Sequence, residues 1–251
     1  MLSKNLIKYL TSLQQKKYRQ EHGSFLVEGA KSILELIASD FQIEMLIAGE
    51  AFYKETIQKF EKQSFRVEIA TPDELARAGT LQTNDAAIAV VKTKPNDFLY
   101  AEKGEYALVL DDIRDPGNLG TIIRIADWYG ITKLICSPTT TDWYNPKVIA
   151  ASKGSFTRVR GYYAELISYL ESVRNKEPGT HIYGTFLEGR NIHQTLFADT
   201  GYIIMGNESN GISRAVEQLI TQKITIPRFG GAESLNVGIA AAVVLDNWRR
   251  K

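Results

Sequence analysis

Three short segments hold the residues that could do chemistry. The first is Asn118-x-Gly120-x-x-x-Arg124, which ends the run from Asp111 to Arg124. The second is Gly206-Asn207-Glu208-Ser209-Asn210-Gly211-Ile212. The third runs from Ile226-Pro227 to Ser234-Leu235-Asn236-Val237. Each follows an apolar run of strand character, and so falls where open α/β sheets bind ligands, beyond the C-terminal ends of strands. The groups on offer are the amides of Asn118 and Asn236, the Glu208 carboxylate, the Ser234 hydroxyl, the Arg124 guanidinium and backbone laid bare beside glycine. Such a set orients a ligand and stabilises charge. It contains no histidine base, since His22, His181 and His193 all fall elsewhere. The sequence also lacks a serine nucleophile elbow, a phosphate loop ending in Lys-Ser/Thr and a Gly-x-Gly-x-x-Gly turn after a strand. Three loops of this kind in one half of a chain indicate a composite site.

The elements that must position these loops alternate. Tyr106–Leu110, Leu134–Cys136, Ile182–Thr185, Tyr202–Met205 and Lys223–Pro227 are near-continuous apolar runs, as expected of a parallel sheet covered on both faces. Helical patterns lie between them, one from Tyr162 to Val173. After Pro116-Gly117 a helix carries the stripe Ile122, Ile125, Ala126 and Tyr129, which leaves Arg124 outside the buried face. Asn118 is placed to cap that helix, to act directly, or both. Ser234-Leu235-Asn236 opens a helix with the stripe Val237, Ala240, Ala241, Val244, Leu245 and Trp248. Ser234 and Asn236 therefore stand at a helix N-terminus, among free backbone donors. Gly206 would let a ligand lie on the backbone, although a plain strand-to-helix turn is equally compatible with it.

A smaller α/β region precedes this one. Residues 3–20 have a helical pattern, with Ser3 as cap, Leu6, Leu10 and Leu13 on one face, and Lys4, Lys8 and Arg19 on the other. Ser24–Gly29, Ile43–Ala48 and Ala87–Val91 have strand character, and Ala30–Ala38 is helical. The polar, proline-broken stretch Lys92–Asp97, followed by Glu102–Glu105, marks a boundary. The expected domains are 1–94 and 106–251, with a linker at 95–105. The first 23 residues hold five Lys or Arg against one Glu. They form either a solvated helix face or a phosphate contact through Lys4, Lys8, Lys16, Lys17 and Arg19. The chain as a whole is nearly neutral, with 251 residues and a formal charge of +1, so any affinity for nucleic acid must be local. One cysteine, Cys136, excludes an intramolecular disulfide, and with three histidines it disfavours a structural zinc site. With no signal-peptide core and no apolar run of membrane-spanning length, a cytoplasmic protein without a membrane partner is expected.

The three segments resemble the three sequence motifs of the SpoU (TrmH-like) family of RNA ribose 2′-O-methyltransferases, in the SPOUT superfamily. Asn118-x-Gly120-x-x-x-Arg124 is similar to the first motif, and Gly206-x-Glu208-x-x-Gly211-Ile212 to the second. Ile226-Pro227 with Ser234-Leu235-Asn236-Val237 is similar to the third. Ala151-Ser152-Lys153-Gly154-Ser155 resembles a small-residue segment that the family carries between motifs one and two. The resemblance covers residues 106–251, and residues 1–94 more loosely resemble a substrate-binding domain related to ribosomal proteins. Two positions depart from the family pattern: Arg228-Phe229 stands where members often carry Met, and Gln82–Ala86 lacks a Gln-Gly pair.

This resemblance implies a SPOUT-type parallel sheet with a C-terminal trefoil knot, and S-adenosylmethionine as methyl donor without a metal. It implies cofactor contacts at Gly184, Thr185, Gly206, Ile226 and Leu235. It also implies a catalytic group of Asn118, Arg124, Glu208, Ser234 and Asn236, a homodimer through the catalytic domain, and RNA as partner, ribosomal RNA above all. Arginine stays protonated, so Arg124 is expected to grip a phosphate and stabilise a developing alkoxide rather than act as a base. The alternatives are a transfer-RNA 2′-O-methyltransferase, a small-molecule methyltransferase, and a non-catalytic ribosome-assembly factor that kept the fold.

Overall fold

The structure, a computed structural model, describes residues 1–60 and 65–250. In chain order the helices and strands are α1 (Lys4–Ser12), α2 (Lys16–His22), β1 (Ser24–Glu28), α3 (Ala30–Ile37), β2 (Ile43–Gly49), α4 (Glu50–Phe60), β3 (Arg66–Ala70), α5 (Pro72–Ala78) and β4 (Ala87–Lys92). There follow β5 (Tyr106–Asp111), α6 (Pro116–Trp128), β6 (Lys133–Cys136), α7 (Pro146–Ser152), β7 (Arg160–Tyr163), α8 (Leu166–Lys176), β8 (His181–Asn191), β9 (Gly201–Gly206), α9 (Arg214–Glu217), β10 (Gln222–Thr225) and α10 (Val237–Arg249). Three of the helices begin with one device. Thr71-Pro72, Asp115-Pro116 and Asn145-Pro146 each put a side-chain acceptor at the cap and proline at the first helical position, where its missing N–H costs nothing.

Two compact units result: Met1–Pro95 with Asp142–Thr157, and Asn96–Thr141 with Arg158–Lys251. The segment 142–157, which sequence spacing assigned to the C-terminal domain, thus belongs by its contacts to the first unit. That unit holds a four-stranded mixed sheet in the order β1-β4-β2-β3. One core group, with Leu10, Leu13, Leu26, Ile47, Leu75, Ile88 and Val90, includes side chains from α1 and α5. Elsewhere in the unit, Phe156 and Tyr144 of the inserted segment meet Phe25 and Phe41 at ring separations of 4.5–6.1 Å.

The helix expected over residues 3–20 is two helices. Ser3 does cap the first, accepting from the Leu6 N–H. The break comes from Arg19, whose Nη1 donates to the carbonyls of Leu13 (3.0 Å) and Gln14 (2.8 Å), turning the chain at the end of α1. Its Nε and Nη2 both meet Asp142 Oδ2, at 3.0 and 2.5 Å. Arg19 is only 3% exposed. Its expected place on an open basic face is therefore wrong: the guanidinium is consumed inside the unit.

The second unit is built on six strands in the order β10-β8-β9-β5-β6-β7, every neighbouring pair parallel. Its apolar strands are buried as their composition requires. Val109, Ile135, Ile182 and Ile204 pack with Leu166, Leu170 and Val173 of α8. Helices α6 and α10 pack against each other. Tyr162, expected to begin a helix, instead pairs with Ile135 in the β6–β7 ladder, and α8 starts at Leu166. A tyrosine-rich stretch suits a half-buried edge strand, and this preference outweighed the helical spacing.

Candidate active site

The sheet order reverses at β5: the chain proceeds through β6 and β7 on one side, then fills β8, β9 and β10 on the other. Crevices in open α/β sheets form at such a switch. Asp111 and Gly206, the last residues of β5 and β9, are paired there. Buried Asp111 accepts the Ser213 N–H at 2.8 Å. Asp112 adopts φ 62°, a left-handed conformation that is uncommon outside glycine. Its carbonyl accepts from Asn207 Nδ2 at 2.9 Å, and the Arg114 guanidinium beside it holds its carboxyl below the usual carboxylate range.

The second motif forms a tight loop on this base. Asn207 and Gly211 exchange backbone bonds of 3.0 and 2.9 Å, and Asn207 Oδ1 accepts from the Ser209 and Asn210 N–H groups. Glu208 is held exposed at the tip. Gly206 is required by this fold-back: a Cβ there would lie 2.3 Å from backbone atoms of Gly211 and Ile212. The position a Cβ would take at Gly206 is thus filled by the chain itself.

The first motif departs from expectation in its cap. Asp115, not Asn118, caps α6; the Asn118 N–H donates to Asp115 Oδ1 at 2.8 Å. This leaves the Asn118 side chain available for longer-range bonds. Its Nδ2 donates to Glu208 Oε1, and its Oδ1 accepts from Asn236 Nδ2 at 2.8 Å. Asn236 in turn caps α10, accepting the Gly238 and Ile239 N–H groups. One donor chain, Asn236 to Asn118 to Glu208, therefore ties all three motifs together and ends on a carboxylate. Chained amides of this kind polarise one another and fix each other's rotamers.

Two members of the expected catalytic group stand apart. Arg124 is exposed on α6, six residues beyond Asn118 and so about 9 Å along the helix axis. Among the described residues its guanidinium has no hydrogen-bond or ion-pair partner. Ser234 is exposed just before α10, likewise without a partner among the described residues.

Of the residues expected to hold a cofactor, Gly206 ends β9, Ile226 follows β10, Gly184 and Thr185 lie where β8 leaves the β9 ladder, and Leu235 stands just before α10. Between Lys223 and Ile224 the β8–β10 register jumps, from Gly184 to Arg190, so residues 185–189 bulge out of the ladder. Sequence spacing missed this bulge; Gly189, whose Cβ would lie 2.9 Å from the Lys223 backbone, was its one visible sign. Thr185 Oγ1 donates to the Ile204 carbonyl at 3.0 Å, and Thr225 Oγ1 to the Leu187 carbonyl at 3.0 Å. Gly184 is buried, and a Cβ would strike the side chains of Ile220 and Phe186. Ile226 is half-buried and Leu235 is 47% exposed. Backbone beside the half-buried Ile226 and the exposed Leu235 suits a nucleoside-bearing group. Asp111, Asp112, Asp115 and Asn207 fall within the segments marked by sequence, but their bonding roles were not anticipated; the Asp115-Pro116 pair was the legible signal for the cap. Burial pushes the Cys136 thiol up, so it is an inert core group. Lys4, Lys8, Lys16 and Lys17 are exposed on α1 and α2.

Comparison with known proteins agrees with this geometry. Residues 105–246 match the SpoU rRNA Methylase family, and residues 4–89 match the MRM3-like substrate binding domain. The chain is 28% identical to the 23S rRNA (guanosine(2553)-2'-O)-methyltransferase RlmP of Bacillus subtilis, over 97% of this chain and 95% of that protein. A structure of a putative TrmH-family RNA methyltransferase from Porphyromonas gingivalis superposes with a TM-score of 0.88, at 33% identity over the full length of both chains. So does the AdoMet-bound rRNA methyltransferase of Sinorhizobium meliloti, with a TM-score of 0.88 at 26% identity over 100% of this chain and 96% of that one. The parallel sheet, the linked motifs and a family match spanning most of the second unit converge: the chain belongs to the SpoU rRNA Methylase family.

Proposed function

We propose that the protein transfers a methyl group from S-adenosylmethionine to a ribose 2′-oxygen of RNA, with ribosomal RNA as the substrate class. The observation that carries this reading is the Asn236–Asn118–Glu208 chain, which joins the three family motifs at the C-terminal ends of β5 and β9. Ribosomal rather than transfer RNA is supported by the RNA named for the Bacillus subtilis relative and by the substrate-binding domain matched at residues 4–89.

The cofactor would supply a sulfonium methyl, an electrophile that needs an aligned nucleophile, and the ribose hydroxyl gives up its proton, to the neighbouring phosphate or another group, as it attacks. The residues divide the rest of the work. Backbone of Gly206, Ile226 and Leu235, with Gly184 and Thr185 beside them, holds the donor. The Asn118–Glu208 pair fixes the loop that faces the ribose. Arg124, whose charge is permanent, binds the phosphate next to the reacting hydroxyl and stabilises its developing negative charge. Ser234 orients the ribose from the α10 N-terminus. Most of the rate gain then comes from alignment.

We also infer a homodimer through the catalytic domain, which Arg124 and 84%-exposed Trp128 on one open stretch of α6 support. The trefoil knot implied by the family and a cytoplasmic, metal-free protein belong to the same reading. Among the described residues no helix is long and apolar enough to cross a membrane.

Mapping ribose methylation by mass spectrometry in ribosomal RNA from cells with and without the gene tests the reaction. One missing 2′-O-methyl group in the deletion strain, restored by the purified protein, is the expected result. An unchanged methylation map counts against it. Light scattering at micromolar concentration should give twice the chain mass; a monomer would contradict the dimer.

A further inference from the structure

The loop between Pro227 and Ser234 carries two side chains that the mechanism does not use. Phe229 is 96% exposed, and its neighbour Arg228 is exposed as well. A phenyl ring left almost wholly in water forgoes the burial that its apolar area favours, and no described residue of the second unit covers it. The loop around it is unpacked: a Cβ at Gly230 or at Gly231 would meet nothing within 4 Å. Arg228 makes one long bond, from Nη1 to the Ala232 carbonyl at 3.4 Å. The loop's carboxylate, Glu233, lies at its far end beside Ser234. That end is anchored, because Asn236 caps α10 and bonds Asn118. An aromatic residue and a cation are therefore neighbours in the chain, five to eight residues before Ser234 and Asn236.

The chemistry of the substrate says what would meet them. Reaction at a ribose oxygen leaves the base outside the bond-making steps, yet the ribose cannot be aligned while its base swings freely. Single-stranded RNA is held by stacking bases on aromatic or guanidinium planes and by cations on the phosphates between them. We propose that Arg228 and Phe229 form a nucleotide grip: the Phe229 ring stacks on a base at or next to the methylated position, and Arg228 meets an adjacent phosphate. This rests on the RNA methyltransferase reading above and adds to it a substrate-binding element on the catalytic unit. The cofactor is the competing occupant, since Ile226 and Leu235, which bracket the loop, are the positions assigned to it, and cofactor affinity of the Phe229 variant separates the two. The grip tolerates any base, since every base has a π-face, so it positions the target without selecting it.

The test uses full-length protein, an unmodified transcript of large-subunit ribosomal RNA, and S-adenosylmethionine. Phe229→Ala should weaken transcript binding, and raise KM for it, about tenfold, and should also lower kcat at saturating RNA, while cofactor affinity by calorimetry stays within twofold. Phe229→Trp should restore RNA affinity, and its added indole should be quenched by the transcript. Arg228→Gln should lower the salt slope of binding by about 0.7 to 0.9, one phosphate's worth. The position is exposed, so none of these changes should disturb folding. If wild-type protein binds and methylates the transcript and Phe229→Ala does so equally well, the grip is refuted and the methyltransferase reading stands. If Phe229→Ala loses cofactor affinity instead, the ring belongs to the donor site and the proposal falls. Wild-type protein that neither binds nor methylates RNA overturns both.

Discussion

Arg124 shows how a single residue's exposure sets its test. It lies on the open side of α6 and is not used to hold the fold, so Arg124→Ala should unfold at the wild-type temperature. The expected outcome is loss of methyl transfer by at least two orders of magnitude, the scale for removing one oxyanion-stabilising group. Cofactor affinity by calorimetry should remain within twofold; a parallel loss of cofactor binding would contradict the role. A second residue-level outcome concerns the exposed lysines. Changing Lys4, Lys8, Lys16 and Lys17 together to Ala should weaken RNA binding and flatten its salt dependence, by about 0.7 to 0.9 in log–log slope for each phosphate no longer neutralised. Unaltered affinity and slope would mean a merely solvated face. Arg19 is left out of this set because it serves the fold. The segments that hold Asn118, Glu208 and Asn236 were legible from sequence because each follows an apolar strand run, but the hydrogen bonds that join these three residues were not. Arg19 was misplaced because helical spacing cannot see a half-buried acceptor 123 positions away, Asp142.

At the scale of elements, the glycines separate by what they touch. An alanine Cβ at Gly206 would meet backbone of Gly211 and Ile212 at 2.3 Å, which cannot swing aside. Gly206→Ala should therefore distort the loop that carries Glu208 and destabilise the protein by about 2 kcal/mol, with transfer falling in step. At Gly184 the nearest atom is the Ile220 Cδ1, the end of a side chain that can turn. Gly184→Ala should cost less, and differential scanning calorimetry of the two variants checks the order; equal costs would show that the loop yields. Most of the strands were legible because a parallel sheet demands apolar runs on both faces. The elements that sequence reading left unnamed or misassigned include short and edge ones: β3, α5, α9 and β7. There, a few residues of pattern compete with turn chemistry and tertiary pairing.

For the whole molecule, the inserted segment matters most. Val148, Ile149 and Phe156 are at most 2% exposed, and their segment packs with the first unit. A fragment beginning at Lys103, the natural catalytic domain by sequence pattern, removes the cover from these side chains. It should bind hydrophobic dye and aggregate. The same fragment with residues 142–157 replaced by a short Gly/Ser linker should stay soluble. Equal dye binding by the two would show that the segment does not need the first unit. Domain boundaries were the least legible feature because composition reports linkers along the chain. It does not report a helix lent back to an earlier unit.

That loan also sets a schedule for biosynthesis. The first unit is incomplete when Pro95 leaves the ribosome, since its aromatic group of Phe25 and Phe41 still lacks Tyr144 and Phe156. About 60 more residues must be made, roughly 3 to 12 s at ordinary elongation rates. In that interval the nascent chain presents an uncovered aromatic surface to solvent. The amino-terminal half should thus stay protease-sensitive on chains arrested shortly after residue 95. Protection should begin only when residue 157 has cleared the exit tunnel, which makes the growing chain a client for ribosome-bound chaperones during that window.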